Sequence, residues 1–181
     1  VIGPAPFLVM GIVNATPDSF YAPSRAQEMP QAVAKALEMA GQGAAILDVG
    51  GESTRPGACE VSLEDELGRV VPVVTQLSQA LAIREYADNS APFETPVISV
   101  DTYKAEVARQ ALEAGAHIVN DISGLRFDPD LAQVVLEHRP GYVLMHSLAK
   151  PGAMQDDPRY DNVVEDILAF FDERMEFLVS R

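Results

Sequence analysis

The chain of 181 residues is long enough for one ordinary domain with a sizeable core, and 48% hydrophobic with 22% charged residues is the composition of a folded globule. A formal net charge of −14, from 27 acidic against 13 basic residues, argues against nucleic acid as a partner, because a phosphate backbone demands clustered Lys and Arg. No apolar run approaches the roughly 18 residues of a membrane span, the first residues lack the basic leader of a secretory signal, and the single cysteine, Cys59, leads us to expect a reducing, cytoplasmic setting.

In chain order, five apolar runs recur about every 33 residues, the size of a βαβ unit. The first, Phe7 to Val13, ends at Asn14 and feeds Ala15-Thr16-Pro17-Asp18-Ser19-Phe20, a loop with a carboxylate, two hydroxyls and an aromatic ring. Thr16-Pro17-Asp18 also suits a plain turn. Asn14 at the strand tip can cap a turn, donate to a phosphate or hold a hydrated divalent ion. Ala32, Val33, Ala36, Leu37 and Ala40 then form one face of a helix.

The second run, Ala44 to Leu47, stops being apolar at Asp48 and is followed by Gly50-Gly51, expected as a sharp exit that only residues without a Cβ make easily. Glu52-Ser53-Thr54-Arg55-Pro56-Gly57 comes next: two hydroxyls and a guanidinium on a loop stiffened by Pro56, the groups a protein uses to hold a phosphate. Arg55 supplies the local cation that an anionic ligand needs against an acidic far field. Cys59, just beyond, reads as incidental.

Ser62 with Asp65 is a capping pair opening a helix whose face is Leu63, Leu67, Val70, Val71, Val74, Leu77 and Leu81, with Pro72 expected to kink it. A polar loop, Ala87 to Pro96, leads to the third run, Val97 to Val100, which ends at Asp101-Thr102. Asp101 either caps the following helix, with Thr102 as competitor, or offers its carboxylate to the paired N–H groups of a nitrogen heterocycle.

Val107, Ala108, Ala111 and Leu112 mark the next helix, and the fourth run, His117 to Val119, ends at Asn120-Asp121. Asn120 brings both a donor and an acceptor to such a ring, while Asp121 serves either the ligand or a supporting bond. Leu131, Val134 and Val135 mark a short helix before the fifth run, Tyr142 to Met145, which ends at His146. A general base would suit His146, but a lone histidine there is more often structural. Ile167, Leu168, Phe171 and Phe177-Leu178 belong to the last helix. No His, Cys and carboxylate set has zinc spacing.

Gly43 to Asp48 and Gly115 to Asn120 echo one another, a glycine ending a helix just before a strand in both. Polar side chains at the end of every strand favour an α/β (β/α) barrel, whose sites lie on that face, over a doubly wound sheet with one switch point. Neither GxGxxG nor a Walker A loop is present. Eight units would need about 250 residues. Residues 1–181 are therefore expected to form a single domain with five of the eight units of a (β/α)8 TIM barrel, about two-thirds of it, with both chain ends cut.

Met10 to Phe20 (MGIVNATPDSF), Ile46 to Ala58 (ILDVGGESTRPGA), Pro96 to Gly124 and the Met-His-Ser of Met145 to Ser147 resemble dihydropteroate synthases. The pairing of TPDSF with ESTRPG is the specific part, since it is no general barrel feature. The resemblance implies a barrel that joins 7,8-dihydropterin-6-ylmethyl pyrophosphate to 4-aminobenzoate, releasing pyrophosphate in folate biosynthesis. On matching positions it implies that Asp101, Asn120, Asp48 and Met145 hold the pterin. Asn14, Thr54 and Arg55 would meet the pyrophosphate, Asn14 also its Mg²⁺, and Phe20, Thr54 and Pro56 would wall the 4-aminobenzoate ring. Asp101, Asn120 and Arg55 carry the catalysis in that reading, and Asp18 lies in a first loop that orders over the leaving group.

It further implies a sulfonamide target and a homodimer of the full-length protein, and a segment that is inactive alone, because the later strands bring a carboxylate, a lysine and an arginine-histidine pair. Tyr21 to Arg25 depart from the family's usual serine, aspartate and glycines. A pterin-binding methyltransferase domain shares the barrel but has no use for ESTRPG or TPDSF. A non-catalytic barrel relative is the rival from another class.

Overall fold

The computed structural model describes residues 7–15, 22–53, 60–87, 95–149 and 159–180. Among them, strands and helices alternate: β1 (Met10–Asn14), α1 (Ala22–Gly41), β2 (Ile46–Gly50), α2 (Leu63–Ala87), β3 (Val97–Asp101), α3 (Ala105–Glu113), β4 (Ile118–Asp121), α4 (Leu131–His138), β5 (Gly141–Leu144) and α5 (Val163–Val179). The strands are parallel and lie side by side in sequence order, β1-β2-β3-β4-β5. A doubly wound sheet would reverse that order somewhere. These described strands do not, and sequential parallel pairing is how a barrel wall is laid down.

Alternation of side chains gives the sheet two unlike faces. One row crosses it as Val13, Val49, Val100 and Val119, in register, and each is at most 1% exposed. This face packs in one core with Ala36 of α1, Val70, Val73, Val74 and Leu77 of α2, Val107, Ala108 and Ala111 of α3, and Leu131 and Val134 of α4. Burying each valine stabilises the fold by about 1.5–3 kcal/mol. Gly11 belongs to the same face because α1 presses on it: a Cβ there would lie 2.9 Å from Met39 Sδ.

The opposite face carries Ile12, Asp48, Ser99, Ile118 and Gly141 in one row and Asn14, Gly50, Asp101, Asn120 and Val143 in the row above it. It is unevenly open: Ile12 is 63% exposed and Val143 39%, while Ser99 and Asp48 between them are buried. In a closed barrel this is the lumen side, whose upper rim is the usual place for chemistry.

The helices begin and end as their sequences direct. The amide of Asp65 donates to Ser62 Oγ at 3.1 Å, which itself donates to Asp65 Oδ2 at 2.9 Å, so the expected capping pair opens α2. Pro72 sits inside α2 without ending it. α1 and α3 finish in the same way. Ala44 N donates to Met39 O and Gly43 N to Ala40 O, while Ala116 N donates to Ala111 O and Gly115 N to Leu112 O. These are paired Schellman closures, with Gly43 at φ +100° and Gly115 at +111°. The echo in the sequence is one helix-to-strand joint used twice.

Candidate active site

Asp101 at the end of β3 and Asn120 near the end of β4 come together with Asp48, which is the middle residue of β2 rather than the strand end its sequence suggested, because β2 runs on to Gly50. Asp101 and Asn120 are direct register partners, and Gly50 is the partner of Asp101 on its other side. Asn120 Nδ2 donates to Asp48 Oδ2 at 3.0 Å. Gly50 leaves room for the Asp101 carboxylate to lean over β2, since a Cβ there would stand 3.4 Å from Oδ2. Asp101 does not cap α3. Lys104 holds the N-cap position, and the amide of Ala105 is taken by Asp128 Oδ2 at 2.7 Å. Thr102 Oγ1 instead accepts from Lys104 N at 3.1 Å.

Burial, with Asp48, Glu66, Asp121 and Glu52 as neighbouring charges, pushes the Asp101 carboxyl from its ordinary 3.8 up to about 7. Asp48 is 5% exposed, and its Oδ1 has no hydrogen-bond partner among the described residues; nor has the hydroxyl of fully buried Ser99, its register partner. Leaving such groups unpaired costs about 1–3 kcal/mol each. A flat ring bearing N–H donors and a ring acceptor would relieve that cost.

The other tips behave differently. Asn14 is exposed at the end of β1, beside Gly50. Asp121 is fully occupied beneath the site: its carboxylate accepts from Ser123 N and Leu125 N, each at 2.7 Å, and from the Tyr142 hydroxyl at 2.5 Å. It braces the β4–α4 turn and stands as a supporting group. Met145 follows β5, with its amide donating to Asp121 O at 3.3 Å. His146 stacks edge-on against Phe170 of α5 with ring centroids 4.8 Å apart and has Tyr160 at 5.9 Å. Those contacts are structural ones. Phe20, Asp18, Thr54, Arg55 and Pro56 lie outside the described residues.

Gly51 needs its glycine for a different reason from the one its sequence suggested. Neither Gly50 nor Gly51 has a positive φ. A Cβ on Gly51 would instead meet Val70 Cγ2 at 2.8 Å and Glu66 Cγ at 3.0 Å. Close approach of α2, not a left-handed turn, excludes a side chain.

Sequence reasoning missed the group behind that approach. Lys104 Nζ donates to Glu52 Oε2 at 2.5 Å, to Val61 O at 2.9 Å and to Glu66 Oε2. Glu66 also accepts from Thr102 Oγ1 at 2.7 Å, and Glu52 from the Tyr103 hydroxyl at 3.1 Å. Burial works to lower the Lys104 pKa, but its bonds to Glu52 and Glu66 outweigh it and hold the ammonium above its ordinary value. Burial and Glu52 likewise raise the Tyr103 phenol. The one clue in the sequence was a lysine placed straight after a strand tip, with a glutamate at the head of the anion loop.

The described residues contain no cluster of three or more His, Cys, Asp or Glu suited to a metal. The exposed amide oxygen of Asn14 is a hard donor of the kind Mg²⁺ accepts, and an ion that keeps diphosphate and water as its other ligands needs only one or two protein groups. Asn14 fits that mode. None of the described helices is long and apolar enough to cross a membrane.

The family described as "Pterin binding enzyme" matches residues 10–180. Among curated proteins, the dihydropteroate synthase of Synechocystis is 42% identical over 168 residues, covering 93% of this chain and 54% of that protein. Among solved structures, the Yersinia pestis dihydropteroate synthase with a sulfonamide drug complex superposes with a TM-score of 0.78 at 41% identity, over 96% of this chain and 58% of that one. The Burkholderia cenocepacia dihydropteroate synthase complexed with 7,8-dihydropteroate gives 0.71 at 40% identity, over 96% and 53%. This chain thus spans about half the length of the curated relatives it matches, somewhat less than the two-thirds expected from counting barrel units. With a family match over nearly its whole length and the strand-tip geometry above, the chain belongs to the pterin-binding enzymes.

Proposed function

We propose that this chain is the amino-terminal part of a dihydropteroate synthase, joining 7,8-dihydropterin-6-ylmethyl pyrophosphate to 4-aminobenzoate. The observation that carries the reading is the union of Asp48, Asp101 and Asn120 on adjoining strands, with a buried carboxylate oxygen left for a donor. Asp101 and Asn120 address the edge of the pterin, and Asp48 orients the Asn120 amide. Met145 lies beside the ring. Thr54 and Arg55 meet the pyrophosphate, and Phe20, Thr54 and Pro56 flank the 4-aminobenzoate.

The bond from the pterin methylene to the pyrophosphate oxygen breaks with its electron pair leaving on pyrophosphate. The amine nitrogen of 4-aminobenzoate forms the new C–N bond and loses a proton to solvent or to the leaving group. The electron-rich dihydropterin spreads the positive charge on the methylene, so no strong base is needed. The protein contributes position and a fixed electrostatic setting. Mg²⁺, held through Asn14, would supply charge neutralisation for pyrophosphate. With this reading go sulfonamide sensitivity, a homodimer of the full-length protein and a cytoplasmic setting.

Calorimetric titration with a pterin tests the site directly. Asp101→Asn and Asn120→Ala should each weaken binding by about 10- to 100-fold, a loss of about 1.4–2.8 kcal/mol. Turnover of the pyrophosphate ester with 4-aminobenzoate in the whole protein tests the reaction. Unchanged pterin affinity in both variants would sink the assignment.

A further inference from the structure

Glu52 and Val61, on either side of the segment that holds Thr54 and Arg55 in the sequence, are both bonded by one ammonium group. On the upstream side Lys104 Nζ bonds Glu52 Oε2 at 2.5 Å, and on the downstream side Val61 O at 2.9 Å. Its third donor goes to Glu66 on the first turns of α2, whose side chain is 1% exposed. Arg69 of α2 adds a bond from Nη1 to Gly51 O at 2.9 Å. Lys104 stands three residues after Asp101, so the same short segment that presents the pterin carboxylate also fixes the ends of the anion loop.

We propose that Lys104 is a positioning residue: it sets the gap between Glu52 and Val61 and thereby the presentation of the anion loop to the leaving group and the 4-aminobenzoate. This rests on the reading of the chain as a dihydropteroate synthase. A tetrahedral ammonium can aim three donors at three acceptors arriving from different directions. Glu52, Glu66 and the Val61 carbonyl arrive from the β2 exit, the start of α2 and the loop's return. A planar guanidinium keeps the charge but not that arrangement. Lys104 touches neither substrate in this scheme.

The test uses the whole protein, with Lys104→Arg as the first variant because it still neutralises buried Glu66. Lys104→Met combined with Glu66→Gln removes the charge pair together and guards against a variant that fails to fold. Amide exchange of residues 51–62 should accelerate by about tenfold or more in both, with the β2 and β3 amides still protected. The KM for 4-aminobenzoate should rise by about tenfold while pterin affinity stays within about twofold. Unchanged exchange in the loop overturns the clamp, and so does a KM that does not move or a pterin affinity that falls in step with it. Should the parent protein show no synthase turnover, it is the functional reading that fails; the exchange measurement then decides whether the clamp exists.

Discussion

At the scale of single residues, Asp101 stores a conflict that pH exposes. Its folded carboxyl keeps a proton up to about 7, mainly because it is buried and next because Asp48 lies close by, whereas the unfolded chain releases it near 3.8. A folded pKa above the unfolded one means that this group's stabilisation is complete below 3.8 and is lost as pH rises through about 7. Asp101→Asn carries no such charge. Between about pH 5 and about pH 8 the parent should lose about 2–3 kcal/mol more stability than Asp101→Asn, read from urea midpoints. Parallel stability curves for the two proteins would show that Asp101 is not desolvated as described. A bound pterin that donates to the ionised carboxylate should shrink the difference, because a hydrogen bond to the charged form lowers its pKa.

The residue scale is also where sequence served best. A polar side chain ending each apolar run is a local signal, and Asp48, Asp101 and Asn120 could be picked from it before their neighbours were known. What it could not supply was pairing across strands. The bond from Asn120 to Asp48 spans 72 positions, and the clamp of Lys104 on Glu52 spans 52, so neither leaves any periodicity in the chain. His146 shows the reverse: a chemically able side chain at a strand tip whose contacts, Phe170 and Tyr160, make it structural.

At the scale of elements, the two Schellman joints offer a matched experiment. Gly43 and Gly115 close α1 and α3 with the same bonds and nearly the same φ, +100° and +111°. Their surroundings differ. A Cβ on Gly43 meets nothing within 4 Å, while one on Gly115 would lie 2.4 Å from Ser78 Oγ on α2. Gly43→Ala should therefore cost about 1 kcal/mol, the left-handed penalty alone, and Gly115→Ala about 2–4 kcal/mol once the clash is added. Equal losses in thermal or urea unfolding would mean that α2 yields freely there. Gly51→Ala belongs with Gly115→Ala, at about 1–3 kcal/mol, because Val70 and Glu66 stand against it in a well-packed core. The sequence signalled a glycine at each position. It could not separate Gly43, kept for φ alone, from Gly51 and Gly115, which α2 crowds, because that distinction depends on where α2 lies.

At the scale of the whole molecule, the two faces of the sheet make opposite demands. The helix side is closed by α1 to α4, with Val13, Val49, Val100 and Val119 out of water. The other side leaves Ile12 at 63% and Val143 at 39% exposure, and β1 and β5 each lack a strand neighbour on one edge among the described residues. Unpaired parallel edges flanked by apolar side chains template association with other chains. The exposed residues of α5, among them Val164, Leu168, Met175 and Val179, follow helical spacing and add an apolar stripe of their own. A purified protein of these 181 residues should therefore self-associate at micromolar concentration and bind a hydrophobic dye, and it should fail to turn over substrate. Joining it to the further length that its curated relatives possess should abolish both the association and the dye signal. Light scattering of the two forms measures this. A monodisperse, monomeric 181-residue protein with synthase turnover would show that five strands suffice, and that the lumen face needs no further cover to hold both substrates.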